Sequence, residues 1–377
     1  MLRRTFVRTG GLAAGAVLAG SLWQGAAGAV TSRFAGPYGP LGEPDSNGVA
    51  LPEGFTSRIV ARTGRRVGGT LWHPAPDGGA CFPDRDGWIY VSNSEIPLLG
   101  GASAIRFGPQ GAVVGAYRIL SGTDLNCAGG RTPWNSWLSC EEIFRGRVFE
   151  CDPYGARAAM PRLAMGRFKH EAAACDPDRR VVYLTEDEPD GCFYRFRPTY
   201  WGDLTTGTLE VLCTESGSGA VTWRRVPDPG ALLKATREQV AGARRFSGGE
   251  GCHYADGVCF FTTKGDNRVW AYDTENEHLG VVYDTDAPSA GVDNITGTSS
   301  GDLYVAEDGG DMEINLITPG RVVTPVLRIA GHPRSEITGP AFSPGGDRLY
   351  FSSQRGARGD AAGTDGVTYE VTGPFRR

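Results

Sequence analysis

The chain has 377 residues, of which 40% are hydrophobic and 21% are charged, an ordinary composition for a globular protein with a large core. Its net charge of −5, with arginines scattered among acids, argues against a nucleic-acid partner, because proteins that bind the phosphate backbone normally carry a basic patch. The 56 glycines and 24 prolines indicate many turns, and no long amphipathic helix is evident, so we expect an all-β fold.

The N-terminus has the pattern of an export signal. Two consecutive arginines in "LRRTFVR" precede a Gly/Ala-rich apolar stretch that is too short to span a membrane, and an A-x-A cleavage pattern follows at Ala27-Gly28-Ala29. We therefore predict a twin-arginine signal at residues 1–29 and a single domain at residues 30–377. The alternative is an N-terminal anchor helix. Export by this route implies the twin-arginine machinery as a partner, a periplasmic, cell-wall or extracellular location, and a mature form without a membrane span.

Nine cysteines are an odd number for an exported chain, so at least one is free or a metal ligand unless an intermolecular bridge forms. None belongs to a C-x-x-C pair, and the sequence does not choose among the possible disulfide pairings.

Six segments repeat one pattern: a small or apolar run, a turn rich in Gly, Pro or Asp, and a strand-like run that ends in polar residues. They cover residues 77–95, 126–142, 170–188, 249–266, 293–309 and 336–356. Their second runs begin near residues 88, 135, 181, 258, 303 and 348, so successive repeats are 47, 46, 77, 45 and 45 residues apart. This period is typical of propeller blades. We predict a six-bladed β-propeller with an insertion between the third and fourth blades, between about Pro198 and Gly248.

Each repeat is expected to form the inner hairpin of one blade. The start of the first strand in an antiparallel hairpin lies beside the end of the second, so acids at both ends of a repeat should meet at one mouth of the axial channel. The first strands would contribute a ring of Asp77, Cys127, Glu171, Glu250, Asp293 and Glu336. The second strands would contribute Glu95, Glu142, Asp187, Asp266, Asp308 and either Gln354 or Arg355.

So many carboxylates at one mouth require cations to neutralise them, because like charges a few ångströms apart raise each other's pKa or repel. Hard cations such as Ca²⁺ are the simplest choice. Cys127 stands where other blades carry acids, and a thiolate among carboxylates favours a transition metal. Iron suits mixed Cys/Glu coordination better than zinc does.

Five motifs, "NCAGGRTPWNSWLSCEE", "GRFKHEAAACDP", "YLTEDE", "GGEGCHYADGVCFFTTKGDNRVWAYD" and "LYVAEDGGDMEI", together resemble the PhoX family of secreted alkaline phosphatases. The resemblance spans about residues 70–356. It implies a propeller with ferric iron and calcium at the axial mouth that hydrolyses small-molecule phosphate esters. By motif, Cys127, Glu171 and Glu250 would be iron ligands. Glu142, Asp187 and Asp308 would lie in or beside calcium sites, and Asp293 completes the predicted metal-binding set.

One position departs from the family pattern. Well-known members of the family carry a phosphate-binding Arg two residues before the acid that corresponds to Glu250, where this chain has Gly248. Three cations predicted near the same mouth are candidates to bind phosphate instead: Lys264, Arg268 and Arg355. Arg supplies a bidentate fork and Lys a point charge. The expected enzyme is a monomeric, metal-dependent phosphoesterase in which no side chain needs to act as general base.

Two other function classes fit the same pattern. A calcium-dependent lactonase or esterase propeller would also use axial acids and an Asn, for which Asn294 in "VDNIT" is suited. A non-catalytic propeller would keep its metals for structure and bind an envelope component.

Expectations for other residues are structural. His170 is expected to be a hydrogen-bonding residue at a strand end, and His73, His278 and His332 to lie at the surface or in turns. Residues 234–246 have helical character and are expected to form a helix or flap on the propeller rim.

Overall fold

The computed structural model describes residues 36–215, 219–284 and 291–377, so the predicted export signal lies outside the described residues. The regular structure of this part is all-β apart from two single-turn 3-10 helices, Leu163–Met165 and Thr236–Glu238. It contains no helix long and apolar enough to cross a membrane.

The strands are grouped in chain order. Four short or peripheral strands come first: β1 (Val49–Ala50), β2 (Thr56–Arg62), β3 (Arg66–Val67) and β4 (Thr70–Leu71). The first blade contains β5 (Pro76–Asp84), β6 (Gly87–Ser94), β7 (Gly100–Phe107) and β8 (Val113–Thr123). The second contains β9 (Asn126–Arg131), β10 (Trp137–Glu141), β11 (Val148–Cys151) and β12 (Met160–Pro161). The third contains β13 (His170–Asp176), β14 (Val181–Glu186), β15 (Phe193–Tyr200), β16 (Asp203–Thr214) and β17 (Val221–Arg225).

The remaining blades follow the same plan. The fourth contains β18 (Gly249–Ala255), β19 (Val258–Thr263), β20 (Arg268–Asp273) and β21 (His278–Asp284). The fifth contains β22 (Gly291–Gly297), β23 (Leu303–Asp308), β24 (Glu313–Ile317) and β25 (Val323–Ile329), with β1 added at its outer edge. The sixth contains β26 (Ile337–Phe342), β27 (Arg348–Ser353) and β28 (Val367–Thr372), and β2 is its outermost strand.

The first strand of each blade lies at the axis. β5 contacts β9, β9 contacts β13, β13 contacts β18, β18 contacts β22, β22 contacts β26, and β26 returns to β5. These contacts close a six-membered ring, which confirms the predicted six-bladed propeller. The chain seals the ring by pairing β2, from the start of the domain, with β28, from its end.

The core consists of apolar layers between neighbouring blades. Tyr304 and Ile314 of the fifth blade pack with Phe351 of the sixth, for example, and Leu138 of the second packs with Leu184 of the third. Each of the six blade-to-blade contacts in the described part of the chain has such a layer. Apolar side chains therefore cover both faces of most blades, which leaves the axis and the rims for polar groups.

The insertion between the third and fourth blades is confirmed, but the predicted helix is wrong. It comprises β17 and residues 226–248, and only Thr236–Glu238 forms a helical turn. Isolated bridges pair Ala243 with Cys213 and Phe246 with Gly191, so the end of the segment adds to the third blade instead of coiling. The Gln239 amide also donates to the carbonyls of Asp228 and Lys234, which holds the segment in an irregular turn.

Candidate metal centre

The same β-bulge occurs at the start of the first strand in all six blades. Pro76 pairs with Ser94 and Gly79 with Ser92, so three steps on one strand match two on the other. The five other inner hairpins show the same offset. A bulge adds a residue that bends the strand and re-aims its side chains. In the first blade the first residue of the bulge follows Pro76, which pairs with Ser94. This bulge residue is, in blade order, Asp77, Cys127, Glu171, Glu250, Asp293 and Gly339.

The second strand of each hairpin contributes a residue beside the bulge. In the first blade it is the residue that follows Ser94, and the other blades have an equivalent position. In blade order it is Glu95, Glu142, Asp187, Lys264, Asp308 and Ser353. Backbone hydrogen bonds to the first strand hold the position in four blades: Glu95 to Ala75, Glu142 to Leu125, Asp187 to Lys169 and Lys264 to Gly248. Five blades thus contribute a side chain from each strand, and the sixth contributes only a glycine and a serine.

The structure corrects the predicted rings at two blades. In the fourth blade Lys264 occupies the position that was assigned to Asp266, whose carboxylate instead accepts from Thr263 and pairs with Arg268. In the sixth blade Glu336 and Gln354 lie outside the equivalent positions, although both reach the neighbouring acids. The one-residue bulge and the length of each turn decide these registers, and neither is visible in the repeat.

Three groups of potential ligands lie next to one another, and within each group the ligand atoms are within 4.8 Å of one another. They are Asp77 with Glu95 and Cys127, Cys127 with Glu142 and Glu171, and Glu171 with Glu250 and Asp293. We call these seven residues the axial cluster. Cys127 and Glu171 each belong to two groups, and the Cys127 thiol donates to Glu171 Oε1 at 3.2 Å.

The axial cluster holds more negative charge than the protein neutralises. Burial raises the pKa values of Glu171, Glu250 and Asp293 well above their usual range, and for Glu171 and Asp293 the neighbouring acids raise them further. Burial raises the pKa of Asp77 to about 7, although Gln354 and the Gly78 amide donate hydrogen bonds to it. Burial and the surrounding carboxylates also raise the pKa of the Cys127 thiol.

Two lysines offset part of this charge. Lys264 Nζ lies 2.7 Å from Glu250 and 3.2 Å from Asp187, and Lys169 Nζ lies 2.8 Å from Glu142 and 3.2 Å from Asp187. Burial alone would lower the pKa of each ammonium, but the adjacent carboxylates outweigh it and raise both. Asp187 differs from the acids of the axial cluster, because Lys264, a hydrogen bond with Glu142 and Lys169 together outweigh its burial and lower its pKa.

Arg355 lies on the other side of the cluster. Its guanidinium is 2.6 Å from Glu336, and the charges of Glu95 and Asp308 also act on it. Gln354, beside it, donates its amide to Asp77 at 2.5 Å and to Glu95 at 2.6 Å. These contacts bring Asp308 to the same mouth as the axial cluster, at its edge.

The side chains of the axial cluster are suited to bind cations. Glu171 is completely buried, and its Oε2 has no hydrogen-bond partner among the described residues. A buried carboxylate oxygen without a partner is costly unless a cation or donor meets it. Carboxylate oxygens suit hard cations such as Ca²⁺, and the sulfur of Cys127 adds the soft donor that a transition metal accepts.

The predicted site residues are therefore placed as follows. Cys127, Glu142, Glu171, Glu250 and Asp293 belong to the axial cluster, and Asp187, Asp308, Lys264 and Arg355 border it. The Arg268 guanidinium forms its ion pairs with Asp266 and Asp284 and not with the acids of the axial cluster.

Sequence reasoning missed Lys169. It directly precedes the first pair of the third-blade hairpin and lies opposite Asp187, so the hairpin register that placed Asp187 could have found it.

The histidines lie outside the cluster. His170 is buried at the start of its strand, and its Nε2 is 3.1 Å from the carbonyl oxygen of Gly166, as expected of a structural residue. His73 was predicted at the surface and is instead 3% exposed, between the hydroxyls of Ser103 and Ser92. The residue follows β4 directly, and its ring lies against side chains of β6 and β7, a contact that the repeat did not reveal.

The chain is similar to known proteins both in sequence and in fold. The sequence model of the family described as "Alkaline phosphatase PhoX" matches residues 92–149 and 144–286. Pseudomonas fluorescens PhoX, solved with vanadate as a transition-state analogue, superposes with a TM-score of 0.72 at 17% identity, covering 87% of this chain and 96% of that one. A Bacteroides thetaiotaomicron protein of unknown function superposes with a TM-score of 0.52 at 10% identity, covering 84% and 76%. No curated protein sequence is significantly similar to the chain.

Proposed function

The chain belongs to the PhoX family of alkaline phosphatases, and from this premise we propose that it hydrolyses phosphate esters at the axial cluster with bound ferric iron and calcium. Family membership makes the chain a phosphatase, and its substrate class is a small-molecule phosphate ester. The observation that supports the proposed location is the completely buried Glu171. It shares one group with Cys127 and another with Glu250, and one of its oxygens has no hydrogen-bond partner among the residues that the structure describes.

The proposed ligands divide by donor type. Cys127, Glu171 and Glu250 would hold iron, because they combine a sulfur with buried carboxylates. Glu142 and Asp293, with Asp187 and Asp308 at the edge, would hold calcium through oxygen alone. When bound, the cations would offset the charge that develops on the phosphoryl oxygens during hydrolysis.

Lys264 and Arg355 are the proposed phosphate-binding residues. Their side chains are 38% and 36% exposed, whereas those of Glu250 and Glu336 beneath them are buried. The two cations can therefore meet a phosphoryl group that enters from the solvent side. Lys169, with a side chain 30% exposed, is a third candidate at the same mouth. Together they would serve in place of the arginine that this chain lacks at Gly248.

The lactonase alternative gains no support from Asn294. Its amide oxygen accepts from the Gly339 backbone N–H at 2.7 Å, and its amide nitrogen donates to Asp293 at 2.9 Å. Both polar atoms of the side chain are thus engaged, one within its own strand and the other in a contact between the fifth and sixth blades.

Elemental analysis and a visible spectrum of protein purified after native export test the proposal. We expect iron and calcium together, hydrolysis of p-nitrophenyl phosphate, and loss of both the iron and the visible absorption in Cys127→Ala. Cys81→Ala is the matched control, because Cys81 is another buried thiol of the inner strands but is not part of the axial cluster. Calcium without iron would overturn the assignment of Cys127 as a ligand. A metal-loaded protein without phosphoesterase activity would overturn the proposed reaction.

Export remains part of the proposal. We expect the twin-arginine machinery to carry the folded chain out of the cytoplasm and residues 1–29 to be removed, leaving a monomeric propeller. N-terminal sequencing of the exported protein would check the cleavage site. Replacement of the arginine pair Arg3 and Arg4 by lysines should keep the protein inside the cell, and export of that variant would refute the route.

A further inference from the structure

A patch that combines exposed apolar and cationic side chains borders the axial cluster. Phe144 is 77% exposed, Leu232 is 71% exposed and Leu233 is 100% exposed, although all three are large apolar residues. Arg145 follows Phe144 in the chain, and Lys234 follows Leu233 and is exposed. With Arg167, these residues form what we call the lip patch.

Hydrogen bonds join the three segments of the lip patch. Arg145 Nη2 donates to the carbonyl of Gly230 at 2.9 Å, and the Arg167 backbone N–H donates to the carbonyl of Pro229 at 2.9 Å. The Arg167 side chain also donates to the carbonyl of Arg145 at 2.7 Å. The insertion that carries Leu232 and Leu233 is thereby fixed against the loop after β10 and the segment before β13.

The cations of the patch are not paired with acids in the described part of the chain. Arg145, Arg167 and Lys234 form no ion pair with any described residue, in a chain whose net charge is −5. Asp228, an acid of the insertion, accepts from the backbone N–H groups of Gly230 and Leu232 and so stabilises its own turn. Arg237, by contrast, is neutralised by Glu186, Glu188 and Asp190.

The patch lies at the entrance to the proposed site. Glu142, two residues before Phe144, is joined through a 2.8 Å ion pair to Lys169, two residues after Arg167. Anything that docks on the lip patch would therefore face the mouth of the axial cluster.

We propose that the lip patch docks the protein on the surface of a bilayer that contains anionic phospholipids. Protruding loop tips with apolar ends suit insertion among lipid headgroups, whereas an apolar groove would suit a peptide. The unpaired cations beside them match the negative charge of the headgroups. The combination of buried apolar area and electrostatic attraction is what surface binding of this kind requires.

Vesicle flotation tests this inference with metal-loaded protein. We expect binding to vesicles of phosphatidylcholine with about 30 mol% phosphatidylglycerol, weaker binding to phosphatidylcholine alone, and release in high salt. The triple variant Phe144→Ser, Leu232→Ser, Leu233→Ser should bind at least about tenfold more weakly, because three exposed apolar side chains are lost. Arg145→Gln combined with Lys234→Gln should remove the preference for anionic vesicles.

Leu71→Ser combined with Val114→Ser is the matched control, since these residues are 60% and 61% exposed and lie outside the patch. This variant should bind like the wild type, and a far-UV spectrum should show that every variant is folded. Absence of wild-type binding, or unchanged binding by a folded triple variant, would overturn the proposal. A triple variant that only raises KM for soluble esters, with no vesicle binding by the wild type, would assign the patch to the substrate and also overturn it.

The proposed docking surface and the proposed catalytic site can be tested independently. The inactive variant Cys127→Ala should still bind vesicles, because the lip patch does not include the axial cluster. Loss of flotation with intact hydrolysis would refute the docking surface alone.

Discussion

Lys264 brings a positive charge to the ring of acids at the mouth of the propeller. It takes the place that acids occupy in four other blades, and its ammonium lies 2.7 Å from Glu250. We expect Lys264→Met to lower kcat/KM for p-nitrophenyl phosphate by about 10- to 100-fold, since one charge-assisted hydrogen bond to the phosphoryl group is lost. Steady-state kinetics, with metal content measured on the same samples, would check this.

Arg268→Met provides the comparison, because Arg268 forms its ion pairs with Asp266 and Asp284, neither of which belongs to the axial cluster. Its kcat/KM should stay within about twofold of the wild type. Equal losses in the two variants would remove the special role of Lys264.

A second residue, His73, should control acid stability. Burial, together with the charge of Arg118, lowers its pKa from 6.5 to about 3. Because the folded-state pKa is the lower one, the stabilisation is complete above about pH 6.5 and is lost as the pH falls towards 3. In His73→Gln, which does not titrate, the free energy of unfolding should fall less between about pH 7 and pH 5. Urea unfolding at both pH values measures it, and identical decreases in the two proteins would contradict the prediction.

At the scale of the element, the repeated bulge aims the ligands and also packs the blades. Gly251 is the second residue of the bulge in β18, and a Cβ there would lie 2.5 Å from the backbone nitrogen of Ile295 and 2.8 Å from Asn294 Cα. Backbone cannot move aside as a flexible side chain can. We therefore expect Gly251→Ala to lower the free energy of unfolding by about 1–3 kcal/mol and to weaken metal binding by Glu250.

Gly280, on β21 of the same blade, is the control for this substitution. A Cβ at Gly280 meets no atom within 4 Å, so Gly280→Ala should be neutral or slightly stabilising. Urea unfolding of both variants, with their iron content measured on the same samples, separates the two cases. A Gly251→Ala protein as stable as Gly280→Ala would show that the blades are less tightly packed at the axis than the structure indicates.

At the scale of the whole molecule, the ring depends on its closing strand. Arg58 of β2 lies 2.6 Å from the buried Glu370 of β28 and donates to the carbonyl of Gly111 in the first blade, so one side chain ties both sides of the closure. Its side chain is 42% exposed, which limits the effect. We expect Arg58→Ala to lower the free energy of unfolding by about 1–2 kcal/mol. Arg157→Ala, whose side chain is 74% exposed, should cost less than about 0.5 kcal/mol, and thermal unfolding would compare the two.

The inner hairpins could be predicted closely from the sequence, whereas the strand pairing that closes the ring could not. Predicted second strands near residues 181, 258, 303 and 348 begin at Val181, Val258, Leu303 and Arg348 in the structure. Their repeated alternation and turn residues are local signals. The closing role of β2 carries no such signal, because it depends on a partner more than 300 residues away.

The sequence by itself determined the six-bladed propeller, the position of its insertion and the mouth at which Cys127, Glu171 and Glu250 meet, because periodicity and hairpin geometry are local properties. Only the tertiary structure decided that Lys264 replaces Asp266, that Lys169 joins the site, and that the sixth blade supplies no acid at the bulge. These features depend on a one-residue offset between strands and on contacts between distant loops. Such an offset moves a side chain to the other face of a sheet and leaves the repeat pattern almost unchanged.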